Sequence, residues 1–226
     1  MRTCAVIPTL NESAAIGPFV SALLADVCAD VVVVDGGSRD DTIARARSAG
    51  ARVTIEPRRG YGRAVTAGIV VAKSLGAQAL VVVDGNGSIA PDDVARVLAP
   101  VCAARAELAL GVRPDSDRLY WHQRLGNRLA VAAIARVSGF RYADVGAVRA
   151  IAADALDRLA LDELGHGWPL QLCARAATMG FCIEQIPIGI LARQSPSKIS
   201  GTVRGSLGAA LGFSRVLWRD CRARSR

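Results

Sequence analysis

Three oxygen-bearing side chains stand at alternate positions in one short loop of the chain: Asp84, Asn86 and Ser88. Gly85 and Gly87 separate them, and glycines let a backbone turn sharply and approach a bound group closely. Carboxylate, amide and hydroxyl oxygens suit a hard cation such as Mg²⁺ or Mn²⁺. The same residue types are common in turns, so this stretch taken by itself fits a plain turn as well as a metal site.

The residues before Asp84 indicate where this loop lies. Ala79–Val83 is an uninterrupted apolar run, which is typical of a strand buried on both faces of a parallel sheet. A carboxylate directly after such a strand lies at the edge where open α/β sheets bind their ligands. The loop therefore occupies a position at which functional residues are frequent.

Strands and helices alternate through residue 112, which predicts an α/β fold with a doubly wound, mostly parallel sheet. Predicted strands cover 2–7, 30–34, 52–55, 79–83 and 107–112, with helices at 14–24, 42–49, 64–75 and 92–101. Pro8 is expected to end the first strand, Ser13 to cap the first helix, and Asp40 or Asp41 to cap the second. Beyond this half the pattern loosens, with helices expected near 124–137, 152–159 and 169–179, a strand or turn at 140–145 and a strand at 182–190.

Composition excludes several classes of protein. With 226 residues, 51% of them hydrophobic and 21% charged, the chain is globular and has ample material for a core. Two histidines argue against a zinc site or a His-centred triad. The six scattered cysteines form no CxxC pair and are expected to be reduced core residues of a cytoplasmic protein. The loop after the first strand has neither GxGxxG nor GxxxxGK[ST], which excludes a dinucleotide-binding dehydrogenase and a P-loop enzyme.

The net charge of +8 indicates a polyanionic partner, whether nucleotide phosphate, nucleic acid or an anionic membrane surface. Residues 201–226 hold six arginines against Asp220 alone. Aromatic residues make up only 4% of the chain and no recognition motif is present, so nucleic acid is not the expected partner. No apolar run reaches the length of about 18 residues that a membrane-spanning helix requires.

Seven short motifs follow one another along nearly the whole chain. They are IPTLNE at 7–12, VVDGGSRDDT at 33–42, GYGRA at 60–64, DGNGS at 84–88, HQRLGN at 122–127, DVGAVRA at 144–150 and SKISGT at 197–202. Together and in this order, they resemble the motifs of inverting, family 2 nucleotide-sugar glycosyltransferases of the GT-A fold, especially the bacterial relatives of dolichyl-phosphate mannosyltransferase.

This resemblance implies a role for each matching residue. Pro8, Asn11, Glu12 and Asp35 would hold the nucleoside, while Asp84, Asn86 and Ser88 would carry a Mg²⁺ or Mn²⁺ that bridges the donor diphosphate. Arg63, Arg113, Arg149 and Lys198 are the basic candidates for binding the nucleotide sugar, the last three by neutralising phosphates. The chain 1–226 would be one domain, with a nucleotide-sugar-binding half at 1–112, an acceptor half at 113–202 and a basic amphipathic C-terminal helix at 203–226.

Two positions depart from the pattern that the resemblance implies. The second metal aspartate is Asn86 here, which removes a formal charge and should weaken cation binding. Relatives usually have glutamate where this chain has Gln171, and an amide cannot accept a catalytic proton. Asp144 remains as an acidic group in the acceptor half, so Asp144 and Gln171 are the candidate catalytic residues.

The expected activity is transfer of one sugar, with inversion, from a UDP- or GDP-sugar to an acceptor. A polyprenyl phosphate is already ionised at neutral pH and is compatible with Gln171, whereas a sugar hydroxyl would need Asp144 or a similar base. The alternative is a catalytically degenerate nucleotide-sugar-binding protein that acts as a partner subunit. The apolar side of residues 203–218, bordered by arginines, predicts peripheral attachment to the inner face of a membrane, unless it packs against the domain instead.

Overall fold

The computed structural model describes residues 1–113 and 121–192, without the side chains of 121–123. The strands of this part are β1 (Thr3–Thr9), β2 (Asp30–Asp35), β3 (Arg52–Ile55), β4 (Ala79–Val82), β5 (Leu108–Val112), β6 (Val148–Ala152) and β7 (Ile183–Pro187). The helices are α1 (Ser13–Asp26), α2 (Thr42–Ser48), α3 (Tyr61–Ser74), α4 (Pro91–Cys102), α5 (Trp121–Ser138), α6 (Ala153–Arg158) and α7 (Trp168–Thr178). Within the same ranges no helix has both the length and the apolar character needed to cross a membrane.

All seven strands form one sheet in the order β3-β2-β1-β4-β6-β5-β7. Only β6 runs antiparallel, between β4 and β5, so the sheet is mixed but mostly parallel as predicted. The chain runs outward from β1 through β2 to β3 and then returns to place β4 on the other side of β1. This reversal of strand order creates a crevice at the carboxyl ends of β1 and β4, where open α/β sheets bind ligands.

Side chains alternate across the sheet and fill two cores. On one face Cys4 and Val6 of β1 pack in a cluster with residues of α3, α5, α6 and α7. On the other face Ala5 and Ile7 pack with residues of α1, α2 and α4. Helices thus cover both faces, which is why β1, β2 and β4 consist of apolar residues without polar alternation.

Two local predictions need correction, and the second half of the chain differs from expectation at two places. Pro8 does not end β1, which continues to Thr9; pairing with β4 stops at Val6 while pairing with β2 continues, so proline is tolerated where β1 has only one neighbour. Ser13 is not the N-cap of α1, because Glu12 holds that position and the Ser13 amide donates to Asp40 Oδ2 at 3.2 Å. At 140–145, where a strand or turn was predicted, the chain has no strand and bends at residues 143 and 145. The antiparallel strand β6 was not predicted, since its five residues carry no turn signal that separates them from α6.

Candidate active site

The strand register brings most of the predicted site residues to one edge of the sheet. Thr9 pairs with Asp35 at the ends of β1 and β2, and Asp35 pairs with Ile55 at the end of β3. On the far side of β1, Val82 of β4 lies opposite Arg149 of β6, so β6 begins at the edge where β4 ends. Leu110 of β5 also lies opposite Arg149. The loops that contain Asp84 and Arg113 therefore open on the same edge, beside the start of β6.

The loop after β4 is tightly packed, which explains its two glycines. A Cβ on Gly85 would lie 2.7 Å from Thr9 Cγ2 and 3.0 Å from Ile7 Cγ2, so no larger residue fits without moving β1. Gly87 has a φ of +71°, a conformation that L-residues rarely adopt. The Asn86 side-chain oxygen accepts the Ser88 amide at 2.9 Å, and the Ser88 carbonyl accepts the Leu191 amide at 2.9 Å.

The donor atoms of this loop fit a metal that arrives together with a diphosphate. Asp84 is half-buried at the strand end, whereas Asn86 and Ser88 are buried. Among the described residues, no group of three His, Cys, Asp or Glu side chains is placed to hold a metal ion. Mg²⁺ is commonly bound by one or two carboxylates, with substrate phosphates supplying further ligands, and the Asp84 carboxylate meets that requirement. The Asn86 oxygen stabilises the loop and retains a second lone pair for a cation.

A second set of contacts joins the loops after β1 and β2, where the nucleoside-binding residues were predicted. Asp35 is fully buried, and its carboxylate accepts the Gly37 and Ser38 amides at 2.8 Å and the Ser38 hydroxyl. Asn11 has a φ of +50°; its amide donates to Ser38 Oγ and its side-chain oxygen accepts the Arg39 amide, both at 2.8 Å. Asp35 and Asn11 thus fix the shape of these two loops, which together are called the wall below.

Pro8 and Glu12 lie in the same wall. Pro8 is half-buried in β1, and the Glu12 amide donates to Thr42 Oγ1 at 2.8 Å. Asp40 accepts both the amide and the hydroxyl of Thr42. Burial raises the pKa of Asp40, but the hydrogen bonds from Thr42 and Ser13 outweigh it and lower that pKa to about 2. The first turns of α1 and α2 are therefore tied together beneath the loops.

Glu56 follows β3 at this edge and was not singled out from the sequence. Its carboxylate accepts hydrogen bonds from Nε and Nη2 of Arg58, each at 2.8 Å, and from the Arg58 backbone amide at 3.1 Å. These hydrogen bonds lower the pKa of Glu56 to about 2, with a smaller contribution from the charge of Arg63. Arg63 itself is half-buried in the first turn of α3. The spacing of one residue between Glu56 and Arg58 was the available signal for this pair.

Arg149 is the second residue of β6, and its buried side chain contacts the start of α3. Only 7% of the residue is exposed, its Nη1 donates to the Tyr61 hydroxyl at 3.4 Å, and its Nη2 donates to the Gly146 carbonyl. Its Nε is buried without a hydrogen-bond partner. Burial raises the pKa of Tyr61, while the charge of Arg149 lowers it and that of Asp84 raises it. Tyr61 is therefore within electrostatic range of both Asp84 and Arg149.

Arg113 and Asp144 form an ion pair in which the carboxylate is buried and the guanidinium is partly exposed. Nε and Nη2 of Arg113 donate to the two carboxylate oxygens of Asp144 at 2.6 and 2.8 Å, and only 2% of Asp144 is exposed. The structure thus brings these two predicted residues together in a planar, two-point contact. Arg113 Nη1 takes no part in that contact.

The other two predicted residues lie elsewhere. Gln171 is fully buried in α7, where its amide group binds Asp162 and Glu163 of the preceding loop. Lys198 lies outside the described residues, as does the predicted helix at 203–226.

The family model for glycosyl transferase family 2 matches residues 4–154, which run from the second residue of β1 past the end of β6 and include every motif residue named above at this edge. The chain belongs to glycosyl transferase family 2. That match confirms the family suggested by the sequence motifs, and the reversal of strand order at β1 and β4 is the fold feature on which its site is built.

Three relatives match this chain over most of its length. The polyprenol monophosphomannose synthase of Mycolicibacterium smegmatis is 31% identical over 248 aligned positions, covering 95% of this chain and 92% of that protein. The undecaprenyl-phosphate mannosyltransferase of Micrococcus luteus is 30% identical, with 99% of both chains covered. An uncharacterized glycosyltransferase of Mycobacterium tuberculosis is 32% identical, covering 94% of this chain and 96% of the relative.

Solved structures confirm the fold. Glucosyl-3-phosphoglycerate synthase from Mycobacterium tuberculosis, in complex with Mn²⁺, UDP-glucose and phosphoglyceric acid, superposes with a TM-score of 0.76 at 21% identity. The superposition covers 97% of this chain and 79% of that one. The family 2 chain described here therefore has the GT-A fold, as its sequence predicted.

Proposed function

We propose that this glycosyltransferase moves a sugar, with inversion, from a nucleotide-diphosphate sugar to a polyprenyl phosphate. The observation that carries the proposal is the division of charge along the sheet edge. Asp84 lies just beyond the end of β4, the buried Arg149 lies on β6, and the partly exposed Arg113 directly follows β5. A donor diphosphate and an acceptor phosphate are both anions, and this arrangement offers a place for each.

The donor half of the proposal uses the crevice between β1 and β4. The wall built by Asn11 and Asp35 would contact the nucleoside, with UDP and GDP as the expected nucleotides. Asp84, with the Asn86 oxygen, would hold Mg²⁺ or Mn²⁺, which supplies charge stabilisation to the departing diphosphate. Arg149 Nε, buried without a hydrogen-bond partner, would gain one from a phosphate oxygen.

The choice of a phosphate as the acceptor rests on the hydrogen bonds of the two candidate bases, Asp144 and Gln171. Both oxygens of Asp144 are engaged by Arg113, and Gln171 is an amide whose oxygen already accepts two backbone N–H groups. A phosphate acceptor attacks as an anion and needs no base, whereas a sugar hydroxyl needs one. Two relatives are named for transfer to polyprenol or undecaprenyl phosphate, which supports the same choice.

The attack would be in line with the departing diphosphate, which inverts the anomeric centre. Arg113, oriented by Asp144, would hold the acceptor phosphate through its remaining nitrogen, so that one phosphate oxygen faces the anomeric carbon. Holding the two anions in place while cations offset their charge is the main catalytic contribution of these residues.

The acceptor's lipid tail gives a reason for the protein to work at a membrane surface. Residues 203–226, outside the described part, carry the arginine-bordered apolar side noted above. We propose peripheral attachment of this segment to the cytoplasmic face of an anionic membrane. Attachment would bring the sheet edge close to a lipid-linked phosphate.

A thermal-shift panel of UDP-, GDP-, TDP- and ADP-sugars, each with and without Mn²⁺, tests the donor half. One nucleotide family should raise the midpoint of unfolding, and Mn²⁺ should increase that shift, because bound ligand stabilises the folded state. If no nucleotide sugar shifts the midpoint with the metal present, the donor assignment is wrong. Binding of a donor without any turnover, with every acceptor supplied, would favour the degenerate partner subunit instead.

A further inference from the structure

Gln171 is the centre of a hydrogen-bonded contact between α7 and the loop before it. Its side-chain oxygen accepts the amides of Asp162 and Glu163 at 3.0 and 2.9 Å. Its side-chain nitrogen donates to Asp162 Oδ1 at 2.6 Å. An amide oxygen has two lone pairs, so its acceptor capacity is fully used, and the residue has no exposed surface.

The same loop covers the N-terminus of α3. The carbonyls of Leu164 and Gly165 accept the amides of Arg63 and Gly62, each at 3.0 Å. These N–H groups belong to the first turn of α3. The amides of a first turn have no hydrogen-bond acceptor within their own helix. A Cβ on Gly62 would lie 2.2 Å from the Glu163 carbonyl oxygen, so glycine is required for the loop to come this close.

Tyr61, the first residue of α3, contacts the candidate active site. Tyr61 accepts a hydrogen bond from Arg149 Nη1 and lies within the electrostatic influence of Asp84. Three contacts in sequence therefore connect Gln171 to the active-site edge: Gln171 to the loop 162–165, that loop to the first turn of α3, and Tyr61 to Arg149.

We propose that Gln171 is a positioning residue, matched to Asp162, that holds the first turn of α3 and so places Tyr61 and Arg149. A glutamate at this position would have no N–H to donate to Asp162. It would also place a carboxylate at a fully buried position beside the carboxylate of Asp162. Asp162 is itself half exposed and pairs with Arg175 at 3.1 Å, so the buried glutamate would bear most of the cost of desolvation and like-charge repulsion. Gln171 is then not a lost base, and restoring the glutamate of the relatives should impair this protein.

Three variants test the pairing: Gln171→Glu, Asp162→Asn, and the two combined. The direct measurement is amide hydrogen exchange at Gly62 and Arg63 by NMR, which needs neither substrate nor activity. Gln171→Glu should accelerate exchange at both amides by about tenfold or more, because the loop that covers them is released. Asp162→Asn in the Gln171→Glu background should restore most of the protection, since an asparagine amide can donate to the new carboxylate.

Gln78→Glu is the matched control. It makes the same substitution at an exposed side chain whose oxygen only accepts the Arg2 amide, so exchange at Gly62 and Arg63 should not change. Unchanged exchange in Gln171→Glu, or accelerated exchange that Asp162→Asn fails to restore, would overturn the proposal.

The catalytic part of the inference rests on the proposed function and has its own measurement. Gln171→Glu should lower kcat/KM for sugar transfer by about tenfold or more, with recovery in the double variant. A faster Gln171→Glu enzyme would identify position 171 as that of a base and contradict the proposal. If the wild-type protein transfers no sugar, the proposed function fails while the exchange experiment still decides the structural role of Gln171.

Discussion

Arg113 and Asp144 are 31 residues apart in the chain and meet in an ion pair in which one guanidinium binds both oxygens of a buried carboxylate. Arg113 follows β5, and Asp144 precedes β6, which returns antiparallel beside it. The unexpected strand β6 is what makes this contact possible. A carboxylate held in this way orients an arginine, and that is a different task from accepting a proton.

Breaking this pair should destabilise the protein because each single substitution leaves a charge without its partner. We expect Arg113→Gln and Asp144→Asn each to cost about 2–3 kcal/mol in the free energy of unfolding. The double variant should cost less than the sum of the two, with a coupling of about 1 kcal/mol or more in a denaturant-based double-mutant cycle. Additive effects would show that the two side chains do not interact in solution.

The activity of Asp144→Asn separates the two acceptor chemistries. If Asp144 only orients Arg113, the variant should lose about tenfold in kcat/KM for the acceptor, and the shape of its pH–rate profile should match that of the wild type. A loss of several orders of magnitude in kcat, with donor affinity unchanged, would make Asp144 a base and a sugar hydroxyl the better acceptor.

Asp84 is expected to be the main protein ligand of the metal. Asp84→Ala should abolish the effect of Mn²⁺ on donor binding without unfolding the protein, since Asp84 lies beyond the end of β4. Asn86→Asp should leave metal binding unchanged or tighten it, because an aspartate can still accept the Ser88 amide and adds a charge. Isothermal titration with Mn²⁺ and donor measures both, and Asp92→Ala at the exposed start of α4 is the control. Equal Mn²⁺-dependent affinity in Asp84→Ala and wild type would refute the metal assignment.

Glu56 gives a prediction about pH and stability. Its pKa in the folded protein is about 2, below the ordinary 4.5, so the folded state favours the ionised form. Its contribution to stability is then fully present above pH 4.5 and is lost as the pH falls through 2. The difference in unfolding free energy between wild type and Glu56→Gln should therefore shrink on acidification across this range. Parallel stability curves between pH 2 and 4.5 would contradict the ion pair with Arg58.

Membrane attachment is predicted from the sequence of residues 203–226. A basic residue near an anionic leaflet contributes about 1 kcal/mol, and salt screens the attraction. The protein should co-sediment with phosphatidylglycerol-containing vesicles at low salt and be released at high salt. Deleting 203–226 should remove the binding. Binding that survives the deletion, or no binding at low salt, would show that residues 203–226 do not attach the protein to a membrane.

The location of the candidate site at the carboxyl ends of the parallel strands was predictable, because short-range sequence patterns mark where those strands end. Apolar runs ending in Asp35 and Asp84 locate two strand ends, and parallel strands bring their carboxyl ends together. The antiparallel placement of β6 was not predictable, since its strand partners are distant in sequence and its own five residues carry no distinctive period. Without β6, neither the Arg113–Asp144 pair nor the burial of Arg149 follows from the motifs.

Gln171 illustrates a second limit. Its residue type alone indicated a missing base, whereas its contacts with Asp162 and Glu163 indicate a role in holding a loop. Those partners lie eight and nine residues away across a turn whose geometry depends on α3, and no local rule pairs them. The physical meaning of a departure from a family pattern is set by what surrounds the residue.

The most direct test of the proposed function is a transfer assay with purified full-length protein, polyprenyl phosphate in detergent or vesicles, Mn²⁺ and radiolabelled UDP- and GDP-sugars. We predict that one donor yields a labelled lipid-linked sugar phosphate whose anomeric configuration is inverted, and that Asp84→Ala yields none. Donor that binds but never labels the lipid, or label that appears only on a sugar hydroxyl acceptor, would contradict transfer to a polyprenyl phosphate.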